Sequence, residues 1–140
     1  NMKIYFAGSI RGGREDVLLY LDIINFLKKY GTVSTEHIGD LALESIGENK
    51  NTDIFIHNRD VKWLLDSDFM VAEVSNPSLG VGYEIGIAIG QKKRILCLYK
   101  KGSTNTLSAM IAGSKDIVVI KYSNLKSLKI KLTKKLSFLN

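Results

Sequence analysis

The chain has 140 residues, 45% of them hydrophobic and 24% charged, which suits one domain with a buried core and is too short for two ordinary ones. No apolar run reaches the length of a membrane span, and residues 3–7 are too short for a secretory leader. The net charge of +6 does not point to nucleic acid, because residues 1–120 balance at 14 basic and 14 acidic side chains and the excess is six lysines in the last twenty residues.

In chain order, residues 3–7 predict a first strand, and residues 8–14 a Gly/Arg loop. Residues 15–30 predict a helix, with Val17, Leu21, Ile24 and Leu27 on one face and Gly31 as its stop. Residues 32–35 are β-branched and predict a short second strand. Residues 38–51 are polar and read as loop with one helical turn. Residues 52–67 predict a helix, 68–73 a third strand, 82–91 a helix and 94–99 a fourth strand. Residues 106–112 predict a short helix and 117–121 a fifth strand. The remainder reads as an amphipathic helix, Leu125, Leu128, Leu132, Leu136 and Leu139 inward and a lysine face in water. Strand and helix alternate throughout. That pattern predicts a single α/β domain over residues 1–140, Rossmann-like or flavodoxin-like, with a parallel five-stranded sheet and helices on both faces.

One cysteine, Cys97, sits in an apolar strand. It permits no disulfide within the chain and fits a reducing compartment, so a cytoplasmic protein is expected, or a nuclear one in a eukaryote. His37 and His57 have no Cys, Asp or Glu at ligand spacing, so no metal site is expected.

Two segments carry chemistry. Gly8, Ser9, Ile10, Arg11, Gly12, Gly13 and Arg14 join a strand to a helix. They match neither a dinucleotide fingerprint nor a triphosphate loop. They do offer backbone N–H groups, a hydroxyl and guanidinium groups at a helix N-terminus, which suits a small phosphate. The second segment, Pro77-Ser78-Leu79-Gly80-Val81-Gly82-Tyr83-Glu84, follows a strand and opens a helix. Glu84 has Val81, Ile87 and Ala88 at helical spacing. An ionised carboxylate held in a dry cleft near a helix N-terminus can attack a sugar carbon. Asp60 has Ile56 and Trp63 at its i−4 and i+3 positions. Desolvation there would raise its proton affinity and let it assist a leaving base. A pairing of Asp60 with Arg59 or Lys62 is the alternative. Tyr5 shares a strand face with Ala7. Gly82, Gly86 and Gly90 recur every four residues and permit close packing, within the fold or across a dimer.

These segments, with Thr35-Glu36-His37, His57-Asn58-Arg59-Asp60-Val61-Lys62-Trp63-Leu64, Val71-Ala72-Glu73-Val74, Lys93-Arg94-Ile95-Leu96-Cys97-Leu98 and Leu107-Ser108-Ala109-Met110-Ile111, resemble the 2′-deoxynucleoside 5′-phosphate N-hydrolases of the nucleoside 2-deoxyribosyltransferase superfamily. The likeness runs from residue 3 to about 116 and is weakest in the lysine-rich end. It implies hydrolysis of the N-glycosidic bond of a 2′-deoxynucleoside 5′-monophosphate to free base and 2-deoxyribose 5-phosphate, with no metal or organic cofactor. It implies Glu84 as nucleophile, Asp60 as acid/base and Tyr5 as the phenol orienting the nucleophile. Ser9, Arg11 and Ser78 match phosphate contacts, and Ile10, His37 and Gly80 match other pocket positions. Ser108 and Met110 match residues that reach a neighbouring subunit's site, so a homodimer is implied. Ala7 departs from a commoner cysteine. A deoxyribosyltransferase acting on unphosphorylated nucleosides, a ribonucleotide-specific N-glycosidase and a non-enzymatic nucleotide-binding module are the alternatives.

Overall fold

A computed structural model describes residues 2–10, 13–35 and 52–139. Arg11, Gly12, His37 and the predicted loop at 38–51 lie outside the described residues, as do the side chains of Arg14, Phe138 and Leu139.

The sheet is built from β1 (Met2–Gly8), β2 (Gly31–Ser34), β3 (Phe69–Glu73), β4 (Arg94–Lys100) and β5 (Val118–Tyr122). All neighbours pair in parallel, in the order β2-β1-β3-β4-β5. The described helices are α1 (Gly13–Leu27), α2 (Asp53–Asp66), α3 (Leu79–Gly90), α4 (Ala109–Ala112) and α5 (Leu125–Lys135), with a closing 3₁₀ turn at Leu136–Leu139. The expected parallel five-stranded α/β architecture is therefore the one observed. None of the described helices is long and apolar enough to cross a membrane.

The central strands are unbroken apolar runs because both of their faces are covered. Alternate residues of β1 feed two cores. Ile4 and Phe6 pack with Tyr20, Ile23 and Leu27 of α1 and Leu128 and Leu132 of α5. Tyr5 and Ala7 pack with Leu64 of α2 and Val81, Ile85 and Ala88 of α3. On that second face the register aligns Ala7, Ala72 and Cys97 across β1, β3 and β4. These small side chains let α2 and α3 lie close to the carboxyl end of the sheet. Leu64 is fully buried. Truncating such a leucine costs about 2–5 kcal/mol through lost transfer energy and the cavity left behind. It anchors α2, and with it Asp60 one turn earlier.

Strand order reverses between β1 and β3, so the crevice where α/β sheets take ligands lies beyond their carboxyl ends. Gly8 and Glu73 face each other across that end. Glycine is required at position 8, since a Cβ there would sit 2.7 Å from the Tyr20 ring.

Element boundaries moved where capping decides them. α3 begins at Leu79 and not at Gly82, because the Ser78 side chain accepts a bond from Val81 N and starts the helix three residues earlier. Glu84 therefore lies in the second turn. The positive helix terminus, whose influence fades within the first turn, faces Ser78 and its surroundings instead. α4 is only four residues long, begun by a Ser108 cap on Met110 N. α1 stops at Leu27 and closes with tightened turns, Lys29 N to Phe26 O at 3.2 Å and Tyr30 N to Leu27 O at 2.9 Å. In α5, Leu128 and Leu132 are buried, and Asn124 and Ser127 form a reciprocal cap. Lys126, Lys129, Lys134 and Lys135 are exposed, as the amphipathic pattern requires.

Candidate active site

β1 and α3 bring together two residues 79 apart in sequence. The Tyr5 hydroxyl donates a hydrogen bond to Glu84 Oε2, in the interior. Tyr5 is fully buried, and Glu84 is only 6% exposed. Val81, Ile85 and Ala88 are the other buried residues of α3.

Asp60 is buried on α2, in the same sheet layer as Glu84. Arg59 Nε lies 3.2 Å from Asp60 Oδ1. The guanidinium also stacks over Phe55 at 5.2 Å and Trp63 at 5.4 Å, one turn to either side. Asp60 is thus both buried and in contact with Arg59. Across the helix pair, His57 Nε2 is 2.9 Å from the Tyr83 hydroxyl, which joins α2 to the residue next to Glu84.

The first loop contributes Ser9, which is buried and whose carbonyl accepts a bond of 2.9 Å from the Tyr20 hydroxyl. Ile10 is half exposed. Gly13 opens α1 with φ +73°, a conformation that favours glycine.

A groove of about 440 Å³ runs beside the Tyr5–Glu84 pair and not over it. Ser78, Leu79, Gly82, Ser108 and Met110 line it, as do Val81 and Ile85, which flank Glu84 on the helix. The groove therefore unites Ser78, Ser108 and Met110 among the predicted residues. Tyr5 and Glu84 form a separate, directly bonded pair. Gly80, in the first turn of α3, is exposed. Met110 is 82% exposed and Leu79 94%. Among the described residues Gly82, Gly86 and Gly90 press on nothing, since a Cβ at each would meet no atom within 4 Å beyond its own helix. The close packing that their spacing permits is not used inside the described fold.

Behind the crevice lies a polar cluster that the sequence did not reveal. Glu73, 2% exposed, accepts bonds from Ser75 N at 2.8 Å, from Ser75 Oγ at 2.9 Å and from the Tyr122 hydroxyl. Burial pushes its carboxyl above the ordinary 4.5, against those bonds, which favour the ionised form. The phenols of Tyr20 and Tyr122 are raised by burial and then by the charge of Glu73. Local sequence held no signal for this cluster, because Glu73 and Tyr122 are 49 residues apart. The Arg59–Asp60 contact, by contrast, was one of the two readings open from adjacency.

A sequence model of the nucleoside 2-deoxyribosyltransferase family matches residues 4–125. The 5-hydroxymethyl-dUMP N-hydrolase of Danio rerio is 56% identical over 113 residues, covering 81% of this chain and 79% of its own. The 5-hydroxymethyl-dUMP N-hydrolase of Esox lucius is 53% identical over 117 residues, covering 82% and 81%. Among solved structures, the CMP N-glycosidase of Clostridium botulinum superposes with a TM-score of 0.59 at 19% identity, covering 93% of this chain and 97% of that one, a likeness of fold. The chain belongs to the nucleoside 2-deoxyribosyltransferase family.

Proposed function

We propose that the chain hydrolyses the N-glycosidic bond of 2′-deoxynucleoside 5′-monophosphates, releasing free base and 2-deoxyribose 5-phosphate. The observation that carries this reading is the buried hydrogen bond from Tyr5 to Glu84. A carboxylate oriented by a phenol and shielded from water is a nucleophile and not a surface charge. Glu84 attacks the anomeric carbon. The C–N bond breaks, and the base leaves with the bonding pair and takes a proton with help from Asp60. Water then adds to the anomeric carbon, loses a proton to Asp60 and frees Glu84. Tyr5 holds the attacking carboxylate and gives up part of its bond as the charge moves to the sugar.

Ser9 and Ser78, with Arg11, bind the 5′-phosphate, while Gly8, Ile10, Gly12, Gly13, Arg14, His37 and Gly80 complete the pocket. The positive end of α3 faces Ser78, which favours an anion there. The relatives' substrate makes 5-hydroxymethyl-dUMP the first nucleotide to offer. The enzyme works as a cytoplasmic homodimer. Exposed Leu79, Tyr83 and Met110, with the open glycine stripe of α3, supply the contact face. Ser108 and Met110 of one protomer reach the other's site.

The family name itself supports a second reading, transfer of deoxyribose between bases. Incubation with deoxynucleoside monophosphates, ribonucleotides and nucleosides, with and without a second free base, separates the two. Base release from the deoxynucleoside monophosphate in water is expected. Efficient base exchange on an unphosphorylated nucleoside overturns the hydrolase reading.

A further inference from the structure

Asn76, two residues before Ser78, bonds to helix α1 and to the segment that precedes Ser108. Its Nδ2 donates to Asp16 Oδ2 at 2.5 Å, and its Oδ1 accepts from Asn105 Nδ2 at 3.3 Å. A carboxylate only accepts, so Asp16 turns the amide nitrogen of Asn76 toward α1 and leaves the oxygen for Asn105. Both ends of one amide are thereby committed to different segments of the protein.

Each segment leads directly to a predicted substrate contact. Asp16 lies one turn before Tyr20 on α1, and Tyr20 holds the Ser9 carbonyl. Asn105 is three residues before Ser108, and its own carbonyl accepts from the Tyr99 hydroxyl. Ser78 is two residues beyond Asn76. The segment before Asn76 is also fixed. Ser75 is held by Glu73, and Ser75 Oγ accepts from Lys100 N at 2.8 Å.

We infer that Asn76 is a positioning residue for the phosphate end of the site, holding the loop of Ser78 against that of Ser9 through Asp16, and tying both through Asn105 to the Ser108 segment that serves the neighbouring site. The inference rests on the reading of the Ser9 and Ser78 loops as phosphate-binding. A phosphate clamp assembled from separate loops works only if their donors converge. Asn76 joins those loops without itself belonging to the Tyr5–Glu84 pair, so its loss should weaken capture of the nucleotide more than the chemical step.

The test compares the wild type with Asn76→Asp, the swap Asp16→Asn/Asn76→Asp, and Asn105→Ala. Steady-state kinetics are measured on a deoxynucleoside monophosphate, together with the thermal midpoint and the dissociation constant for inorganic phosphate. Asn76→Asp sets two carboxylates against each other. It is expected to raise KM and the phosphate dissociation constant about 10- to 100-fold, the scale of a lost bond to a charged group, with kcat within about twofold. The swap restores a donor facing an acceptor and keeps an oxygen for Asn105, so it should recover most of the lost binding. Asn105→Ala breaks the tie from the other side and leaves the Tyr99 bond to the main chain intact. It should shift KM the same way by a smaller factor, and it decides the matter if Asn76→Asp does not fold. Unchanged KM and phosphate binding in the folded variants, equal loss in kcat and KM, or a swap that recovers nothing overturns the inference. A wild type that turns over nucleoside and monophosphate equally well would instead sink the phosphate reading, and the inference with it.

Discussion

Tyr5 on β1 and Glu84 on α3 are joined by a buried hydrogen bond across 79 residues of sequence. The phenol is fully enclosed, so the bond is not exchanged for water. Tyr5→Phe keeps the ring and its packing and removes only the donor. It should lower kcat about 10- to 100-fold with little change in KM, because the bond orients the attacking group and touches no part of the phosphate. Steady-state kinetics on one deoxynucleoside monophosphate provide the check, and an unchanged kcat would remove Tyr5 from the machinery.

Asp60→Asn should slow base release about 10²- to 10⁴-fold, the range of general acid–base catalysis. The loss should be smallest for bases that leave easily. Equal losses across a leaving-group series would count against Asp60 as the group that assists departure. Arg59→Lys tests the companion contact. Lysine keeps the charge but cannot stack as a planar group between Phe55 and Trp63. A lower kcat is expected, and kinetics equal to those of the wild type would show that the contact does not matter to the reaction.

Much of this arrangement was legible before any coordinates. The strand runs are buried on both faces and so read as unbroken apolar segments, and the alternation of strands and helices fixed the parallel sheet. Glu84 stood out because a carboxylate among Val81, Ile87 and Ala88 is poorly placed for simple solubility. Boundaries set by single hydroxyls were less visible. Ser78 and Ser108 begin their helices through caps that a periodicity argument does not weigh. Long-range polar contacts such as Glu73 with Tyr122, or Asn76 with Asp16, were hidden because nothing near either residue in the sequence points to the other.

Glu73 makes stability depend on pH in a stated direction. Its carboxyl is raised above 4.5 in the folded chain, so the native state binds the proton more tightly than the unfolded state does. Its contribution is therefore fully present below 4.5 and is lost as pH rises through the folded value. Thermal midpoints of wild type and Glu73→Gln, measured upward from pH 4.5, should diverge in slope, with the wild type falling more steeply. Parallel slopes would show that the buried carboxyl does not govern this dependence.

Cys97 should be chemically silent. Burial pushes its thiol up to about 12, with the charge of Glu73 acting in the same sense. At pH 8 almost none of it is thiolate, and the side chain is fully enclosed on β4. A thiol reagent should label the chain only after denaturant is added. Rapid labelling of the native protein would contradict the packing of β4 against α3.

The most direct test of the account is to trap the covalent intermediate. Rapid acid quench during turnover of a deoxynucleoside monophosphate, followed by proteolysis and mass mapping, should place a deoxyribose 5-phosphate adduct on the peptide containing Glu84. Glu84→Gln, which keeps an oxygen for the Tyr5 hydroxyl, should remain folded and give neither adduct nor free base. An adduct on another residue, or base release by folded Glu84→Gln at the wild-type rate, would contradict Glu84 as the nucleophile.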